Sequence, residues 1–360
     1  MRQSSNNQKR EAKRISGKNE EAELEIKQNG VSTYSWFESY LSDRKQCVEV
    51  NGTHSEFLPV NCGVPQGSIL GPLLFLVYIN DMNISLNCRL SLYADDSALL
   101  FLHEDSRVIA RRLSCELTSC KRWLVDNRLS LHVGKTECLL FGTKRKLKGV
   151  DSFSVFCEGM LVDRVHHVKY LGIQLDASLD GSIYVRSLLK TCAGRLCFLY
   201  RNAALLDQHC RRILCSALIQ PYLDYCCGSW YGGLSCALRG RLDVMQRKMV
   251  RFVQGMDSMS HVGQKELYDL SWRSISDRIK YFRMLHLFRP NFNLPVKCHS
   301  YDTRGSSHNF HISKEISRSP NAFTFLAIKQ WNSLPNHVKG ISSLVTFKKE
   351  LKDFLFSSYT

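Results

Sequence analysis

An α+β fold is expected for this 360-residue chain, on three observations. Short apolar or alternating runs bounded by turn residues recur between Cys47 and Leu175. From about Ser182 helical periodicity takes over, in Val185–Ala204, Arg211–Tyr225, Ala237–Val253 and Lys265–Leu287, and strand signals nearly vanish. A hydrophobic content of 44% over this length can fill more than one core. A boundary is therefore expected near 178–182, and no internal repeat is visible.

Residues 1–30 are charged, rich in Gln and Asn and poor in aromatics, so disorder or a solvated helix around Glu20–Lys27 is expected there. Order should begin near Val31, where Trp36, Phe37, Tyr40 and Leu41 have helical spacing. Cys47–Val50 and Glu56–Val60 read as two strands around an Asn51-Gly52 turn. The loop Gly63–Ser68 runs into Leu73–Ile79, apolar all round and so expected to be buried on several sides, with Ser68 as a cap. Arg89–Phe101 reads as a hairpin with Asp95, Asp96 and Ser97 between its arms, and Ser106–Leu124 as a helix striped by Ile109, Leu113, Leu117, Cys120 and Leu124. Leu129–Val133 and Glu137–Phe141 are expected strands, Lys144–Lys148 a basic loop, and Val168–Leu175 a strand pair broken at Gly172. The last segment, Asn321–Phe356, carries a Trp331-Asn332 … Leu334-Pro335 turn and a closing basic helix.

The formal charge is +16, and nucleic acid is the commonest polyanion that such a balance attracts. The longest apolar run, Leu70–Ile79, is about half a membrane helix, and the polar start has no signal core, so neither membrane insertion nor secretion is expected. An intracellular location, nucleus or cytoplasm, follows. The 15 cysteines include no Cys-x-x-Cys, and the close pairs Cys115/Cys120, Cys192/Cys197, Cys210/Cys215 and Cys226/Cys227 read as small buried hydrophobes in a reducing compartment. Cys298, His299, His308 and His311 fit no common zinc spacing.

Two features carry chemistry. Adjacent carboxylates in Tyr93-Ala94-Asp95-Asp96 repel each other, and a divalent cation with a preference for hard oxygen ligands, such as Mg²⁺, relieves that repulsion. In Gly63–Ser68, glycines let backbone approach a ligand closely and Gln66 offers both a donor and an acceptor.

In order and spacing, Gly63-Val64-Pro65-Gln66-Gly67-Ser68-Ile69-Leu70-Gly71-Pro72-Leu73-Leu74-Phe75, then Tyr78-Ile79-Asn80-Asp81, then Tyr93-Ala94-Asp95-Asp96 closely resemble reverse transcriptases of non-LTR (LINE-type, jockey-like) retrotransposons. The resemblance takes in Ser39–Gln46 upstream. Downstream it includes Trp123–Leu131, Gly134-Lys135-Thr136, Tyr170-Leu171-Gly172-Ile173, Gln246-Arg247-Lys248 and Trp331–Pro335, so that it covers roughly residues 31–356. It implies a right-hand polymerase: a palm with an antiparallel sheet and partial fingers over 31–180, a helical thumb over 181–290, and a family-specific helical tail over 291–360. It implies Asp95 and Asp96 as catalytic ligands of Mg²⁺ or Mn²⁺, with Tyr93, Gln66, Gly67 and Lys135 around the incoming nucleotide. Tyr170, Leu171 and Gly172 would hold the primer end, and Arg241, Arg247, Lys248 and Arg251 would follow phosphates. The implied partners are an RNA template, a DNA primer and deoxynucleoside triphosphates.

The family pattern also needs a third carboxylate upstream, in a segment ending Ala-Phe-Asp. The acids before Asp43 are Glu11, Glu20, Glu21, Glu23, Glu25 and Glu38, the first five in polar sequence without strand pattern. The chain therefore resembles an N-terminally truncated member and is expected to be inactive or nearly so. The alternatives are a non-catalytic nucleic-acid-binding remnant or a gene-model fragment.

Overall fold

A computed structural model describes residues 31–61, 63–150, 152–288 and 309–356, in two compact units that divide between Leu131 and His132. The expectation for residues 1–30, and Cys298, His299 and His308, lie outside the described residues.

In the first unit, α1 (Val31–Leu41) stacks Trp36 on Tyr40 one turn away, ring centroids 5.5 Å apart. Two nested hairpins follow. The inner one pairs β2 (Glu49–Val50) with β3 (Thr53–His54), and the outer pairs β1 (Lys45–Gln46) with β4 (Leu58–Pro59). Asn51 (φ 51°) and Gly52 (φ 80°) form the expected turn, both left-handed as a type I′ turn requires. Of the expected strands, Cys47–Val50 keeps only Glu49–Val50 and Glu56–Val60 only Leu58–Pro59, because Cys47 and Val48 face three residues, Ser55, Glu56 and Phe57, an unequal count that bulges the ladder.

Helix α2 (Leu70–Ile79) departs from its expected burial. Only Gly71 and Ile79 are buried, while Leu73, Leu76 and Val77 are 57%, 47% and 68% exposed. One face of the helix, with Phe75 and Ile79, joins Met82, Leu86, Cys120 and Trp123 in the unit's core, and the opposite face stays largely uncovered among the described residues. Strands β5 (Arg89–Tyr93) and β6 (Asp96–Leu100) form a separate two-stranded ribbon. Helix α3 (Ser106–Asp126) starts where Asp105 accepts from the Arg107 N–H at 2.8 Å. It ends with Arg128 at φ 56° and the Leu129 N–H returning to Leu124 O at 2.7 Å. That helix closure takes up residues expected to begin a strand, and no strand forms over Leu129–Val133.

The second unit opens with a three-stranded sheet in the order β7 (Glu137–Cys138), β9 (Met160–Arg164), β8 (Val155–Cys157). The basic segment is a short helix, α4 (Lys144–Leu147), because the Thr143 hydroxyl caps it by accepting from Lys146 N–H. The expected hairpin is β10 (His167–Tyr170) against β11 (Ile173–Asp176), Tyr170 opposite Ile173. Buried Asp176 accepts N–H bonds from Ser178, Asp180 and Gly181, fixing the turn into the helices.

The helices are α5 (Ser182–Arg201), α6 (Gln208–Leu218), α7 (Gln220–Asp224), α8 (Cys227–Trp230), α9 (Cys236–Gln254), α10 (Gln264–Asp269) and α11 (Ile275–Phe288), then α12 (Lys314–Ser317), α13 (Phe323–Asn332), α14 (Asn336–Lys339) and α15 (Leu344–Phe356). Val185, Leu188, Leu242, Met249 and Phe252 form one core, which Ile173 of β11 joins. Met284, Trp331, Leu334, Val338, Phe347 and Leu351 form another. Asn332 explains its place in the tail motif: its carboxamide donates to Phe310 O and accepts from Phe310 N–H, both at 3.0 Å.

The close cysteine pairs do not share one environment. Cys120, Cys192, Cys215 and Cys227 are buried, and Cys115, Cys197, Cys210 and Cys226 are exposed. In the first three pairs the two residues are five apart on one helix and point about 140° away from each other, so only one of the two reaches the core, while Cys226 precedes the helix that Cys227 opens. No helix among the described residues is long and apolar enough to cross a membrane.

Candidate active site

The carboxylate pair sits at the tip of the β5–β6 ribbon. Leu90, Leu92 and Leu99 turn inward and pack against the core of Ile79, Met82 and Trp123, so the alternation of the strands sends Arg89, Ser91 and Tyr93 to the other face. Tyr93 lies directly opposite Asp96, which puts ring and carboxylate side by side on the exposed face. The turn is two residues long, Ala94 and Asp95. Asp96 and Ser97, expected in the turn, already belong to β6, because the Tyr93–Asp96 pair closes the ladder.

Ala94 has φ 52°, a left-handed conformation that costs a residue with a Cβ about 1–2 kcal/mol. The turn leaves both carboxylates exposed at the end of the ribbon. Asp95 and Asp96 are both exposed, and among the described residues neither makes an ion pair or side-chain hydrogen bond. Two exposed hard oxygen donors suit a divalent cation such as Mg²⁺. They are two donors only: among the described residues no group of three or more His, Cys, Asp or Glu side chains gathers as a metal site.

The loop before α2 is built around Ser68. Its hydroxyl donates to Pro65 O at 2.7 Å and accepts from Gly71 N–H at 3.0 Å, three residues on, as an N-cap side chain does. Gly63 (φ 74°) and Gly67 (φ 78°) supply the left-handed turns, and Gln66 and Gly67 are exposed at the loop's tip. The loop's start is held by Arg44, whose guanidinium donates to Gly63 O at 2.6 Å and to Leu41 O at 2.9 Å. Among the described residues no hydrogen bond or ion pair links Gln66 to Asp95 or Asp96.

The remaining candidates lie in the second unit. Lys135 is exposed on a single 3-10 turn, Val133–Lys135, closed by the Thr136 hydroxyl on His132 O. Tyr170, Leu171 and Gly172 form the tip of the β10–β11 hairpin, half-buried except for exposed Gly172. On α9, Arg241, Lys248, Arg251 and Arg247 fall within one arc of about 120° by helical geometry. The first three named in chain order, Arg241, Arg247 and Lys248, are exposed. Arg251 is half-buried, and its guanidinium donates to Ser260 O at 2.9 Å, so it also fixes the turn after the helix.

Residues 19–175 match the family described as reverse transcriptase (RNA-dependent DNA polymerase). Over these residues, less than half of the chain, the sequence is similar to that family. It is 29% identical over 262 residues to a probable RNA-directed DNA polymerase from transposon BS of Drosophila melanogaster, covering 68% of this chain and 28% of that protein. It is 27% identical to the corresponding protein from transposon X-element of the same fly, covering 65% and 26%. The RNA-directed DNA polymerase from mobile element jockey of Drosophila funebris is 27% identical, covering 69% and 28%. The chain thus spans about a quarter of the length of these relatives. The resemblance to jockey-like non-LTR reverse transcriptases is met by these matches, and the mixed helices and small, mainly antiparallel sheets agree with an α+β reverse transcriptase domain.

Three residues that support the candidate elements are not singled out for that role by the sequence reading. Gly71 lies under Pro65 O and Ser68 Oγ, where an added Cβ would sit 2.8 and 2.9 Å away. Its signal was present, a glycine three residues after a capping serine. Arg44 acts across 19 residues of sequence and Tyr225, which bonds Leu171 O at 2.6 Å, across 54, and local pattern marks neither.

Proposed function

We propose that this chain supplies part of an RNA-directed DNA polymerase of a non-LTR retrotransposon, with Asp95 and Asp96 as two ligands of its catalytic divalent ions. The observation that carries the reading is the two-residue turn at Ala94-Asp95, which exposes adjacent carboxylates on a ribbon anchored by Leu90, Leu92 and Leu99. Bound Mg²⁺ or Mn²⁺ would activate a primer 3′-hydroxyl and stabilise the departing pyrophosphate. The protein's own residues do the rest. Asp95 and Asp96 hold charge at a fixed point. Tyr93 sets a flat ring beside Asp96 for the nascent base pair. Gln66 offers donor and acceptor, and Gly67 lets backbone approach the nucleotide and template. Lys135 provides a cation for the pyrophosphate, where developing charge needs it. The tip Tyr170–Gly172 holds the primer end, and the exposed arginines and lysine of α9 follow backbone phosphates. In this reading residues 31–180 are palm and partial fingers, 181–290 thumb, and 291–360 tail, acting on an RNA template, a DNA primer and deoxynucleoside triphosphates inside the cell.

The 360 residues bring two of the three carboxylates that the reaction uses, and losing one ligand costs several kcal/mol of transition-state stabilisation. The full chain is therefore expected to show no primer extension on an RNA template with Mg²⁺ or Mn²⁺. Robust synthesis that Asp95→Asn abolishes would refute the inactivity and uphold the site. Mn²⁺ binding followed by electron paramagnetic resonance tests the site itself: Asp96→Asn should weaken it, and equal binding by the variant would remove the pair from the metal site. The exposed stripe of Arg241, Arg247 and Lys248 favours a second reading, nucleic-acid binding without catalysis. Salt-dependent duplex binding, with a shallower salt slope in Arg247→Gln, would support it.

A further inference from the structure

The tip of the β10–β11 hairpin is held in an unfavourable conformation. A two-residue turn between paired Tyr170 and Ile173 places Leu171 at φ 46° and Gly172 at φ 82°. Gly172 tolerates that conformation and Leu171 does not. Something must compensate, and Tyr225 does. Its hydroxyl donates to Leu171 O at 2.6 Å, and its ring lies 3.4 Å from the position a Gly172 Cβ would take. Tyr225 is fixed in turn, since its carbonyl accepts from Trp230 Nε1 at 3.0 Å and Trp230 is buried in the helical core. The next residue, Cys226, is itself left-handed at φ 46°, which turns the chain sharply into α8. Strain on both sides of one hydrogen bond marks a contact that sets a geometry.

We propose that Tyr225 is a positioning residue that locks the Tyr170–Gly172 tip onto the helical core, and so sets where that tip meets the recessed 3′ end of a primer. The proposal rests on the reading of this hairpin as the primer-holding element. The ring packs in van der Waals contact beside Gly172, whose φ of 82° favours glycine, so the tip there stays bare backbone for a close approach by the primer strand. The hydroxyl fixes the direction of the Leu171 peptide. Neither group touches the nucleotides itself.

The test uses the full chain and two fluorescent duplexes of equal length, one RNA–DNA hybrid with a recessed DNA 3′ end and one blunt, with binding read by anisotropy at fixed salt. The unaltered chain should prefer the recessed end. Tyr225→Phe keeps the ring and removes the hydroxyl, so it should lower affinity for the recessed duplex about two- to tenfold, the range of one hydrogen bond, and leave the blunt duplex unchanged. Thermal unfolding of the same variant separates binding from folding. An unchanged preference in Tyr225→Phe, or an equal loss on both duplexes, overturns the positioning role while the hairpin's reading stands. No preference by the unaltered chain overturns the reading and the inference together.

Discussion

Gly71→Ala isolates what holds the loop before α2. At an open helical position this exchange stabilises by about 0.5–1 kcal/mol, because alanine gives up less backbone freedom on folding. Gly194 in α5 and Gly240 in α9 are such positions, with nothing within 4 Å of an added Cβ. At Gly71 the same methyl would meet Pro65 O at 2.8 Å, Ser68 Oγ at 2.9 Å and Val64 Cγ2 at 3.5 Å. Pro65 O is backbone and cannot rotate away. Ser68 Oγ is pinned between Pro65 O and Gly71 N–H. To admit the methyl, the loop must lift and both bonds must lengthen. Overpacking of this kind costs about 1–3 kcal/mol, and against the helix gain the net expectation is a loss of about 1–2 kcal/mol. Urea unfolding of the three variants decides it: Gly194→Ala and Gly240→Ala should move the midpoint of the transition up, and Gly71→Ala should move its transition down. Hydrogen exchange at the residue 71 amide should quicken in the last variant. If Gly71→Ala stabilises as much as Gly240→Ala, the loop is not seated on the helix as described, and Gln66 and Gly67 lose their support.

Two further perturbations probe the second unit. Burial pushes the thiols of Cys215 and Cys227 up to about 12 and that of Cys192 to about 11, so iodoacetamide should label exposed Cys197 and Cys236 in the folded chain and spare those three until denaturant is added; rapid labelling of Cys192 by mass spectrometry would contradict the helical core. Burial pushes the Asp180 carboxyl up, but hydrogen bonds from Ser182 and Ser178 and the charge of Lys144 outweigh it and hold it below the ordinary value of 3.8. A depressed carboxylate stabilises the fold above its unfolded value and loses that contribution as pH falls through 3.8 and below, so Asp180→Asn should flatten the acid limb of stability against pH, and an unchanged limb would refute the role.

The elements that position the carboxylates follow from local pattern. Leu90 and Leu92 alternate, Ala94 and Asp95 turn the chain, and the ribbon forms where that alternation places it. Asn51-Gly52 specifies its own turn in the same way. The register at Asp96 was less accessible, because an alanine at φ 52° is a poor choice for the first residue of a tight turn, and only the Tyr93–Asp96 pairing reveals that the turn contains two residues. Leu171 poses the same difficulty. A leucine in left-handed backbone is compensated by a tyrosine 54 residues away, and no window of sequence contains both. Helix α2 shows a different limit. Its composition states what ten apolar residues would prefer, and burial depends on what is there to cover them. Phe75 and Ile79 find partners in Met82 and Trp123, while Leu73 and Val77 remain exposed. Turns and alternation are local energies and can be read residue by residue. Cover and compensation are supplied by distant residues, so the support of both candidate tips, Arg44 behind the loop and Tyr225 behind the hairpin, emerges only when the chain is folded.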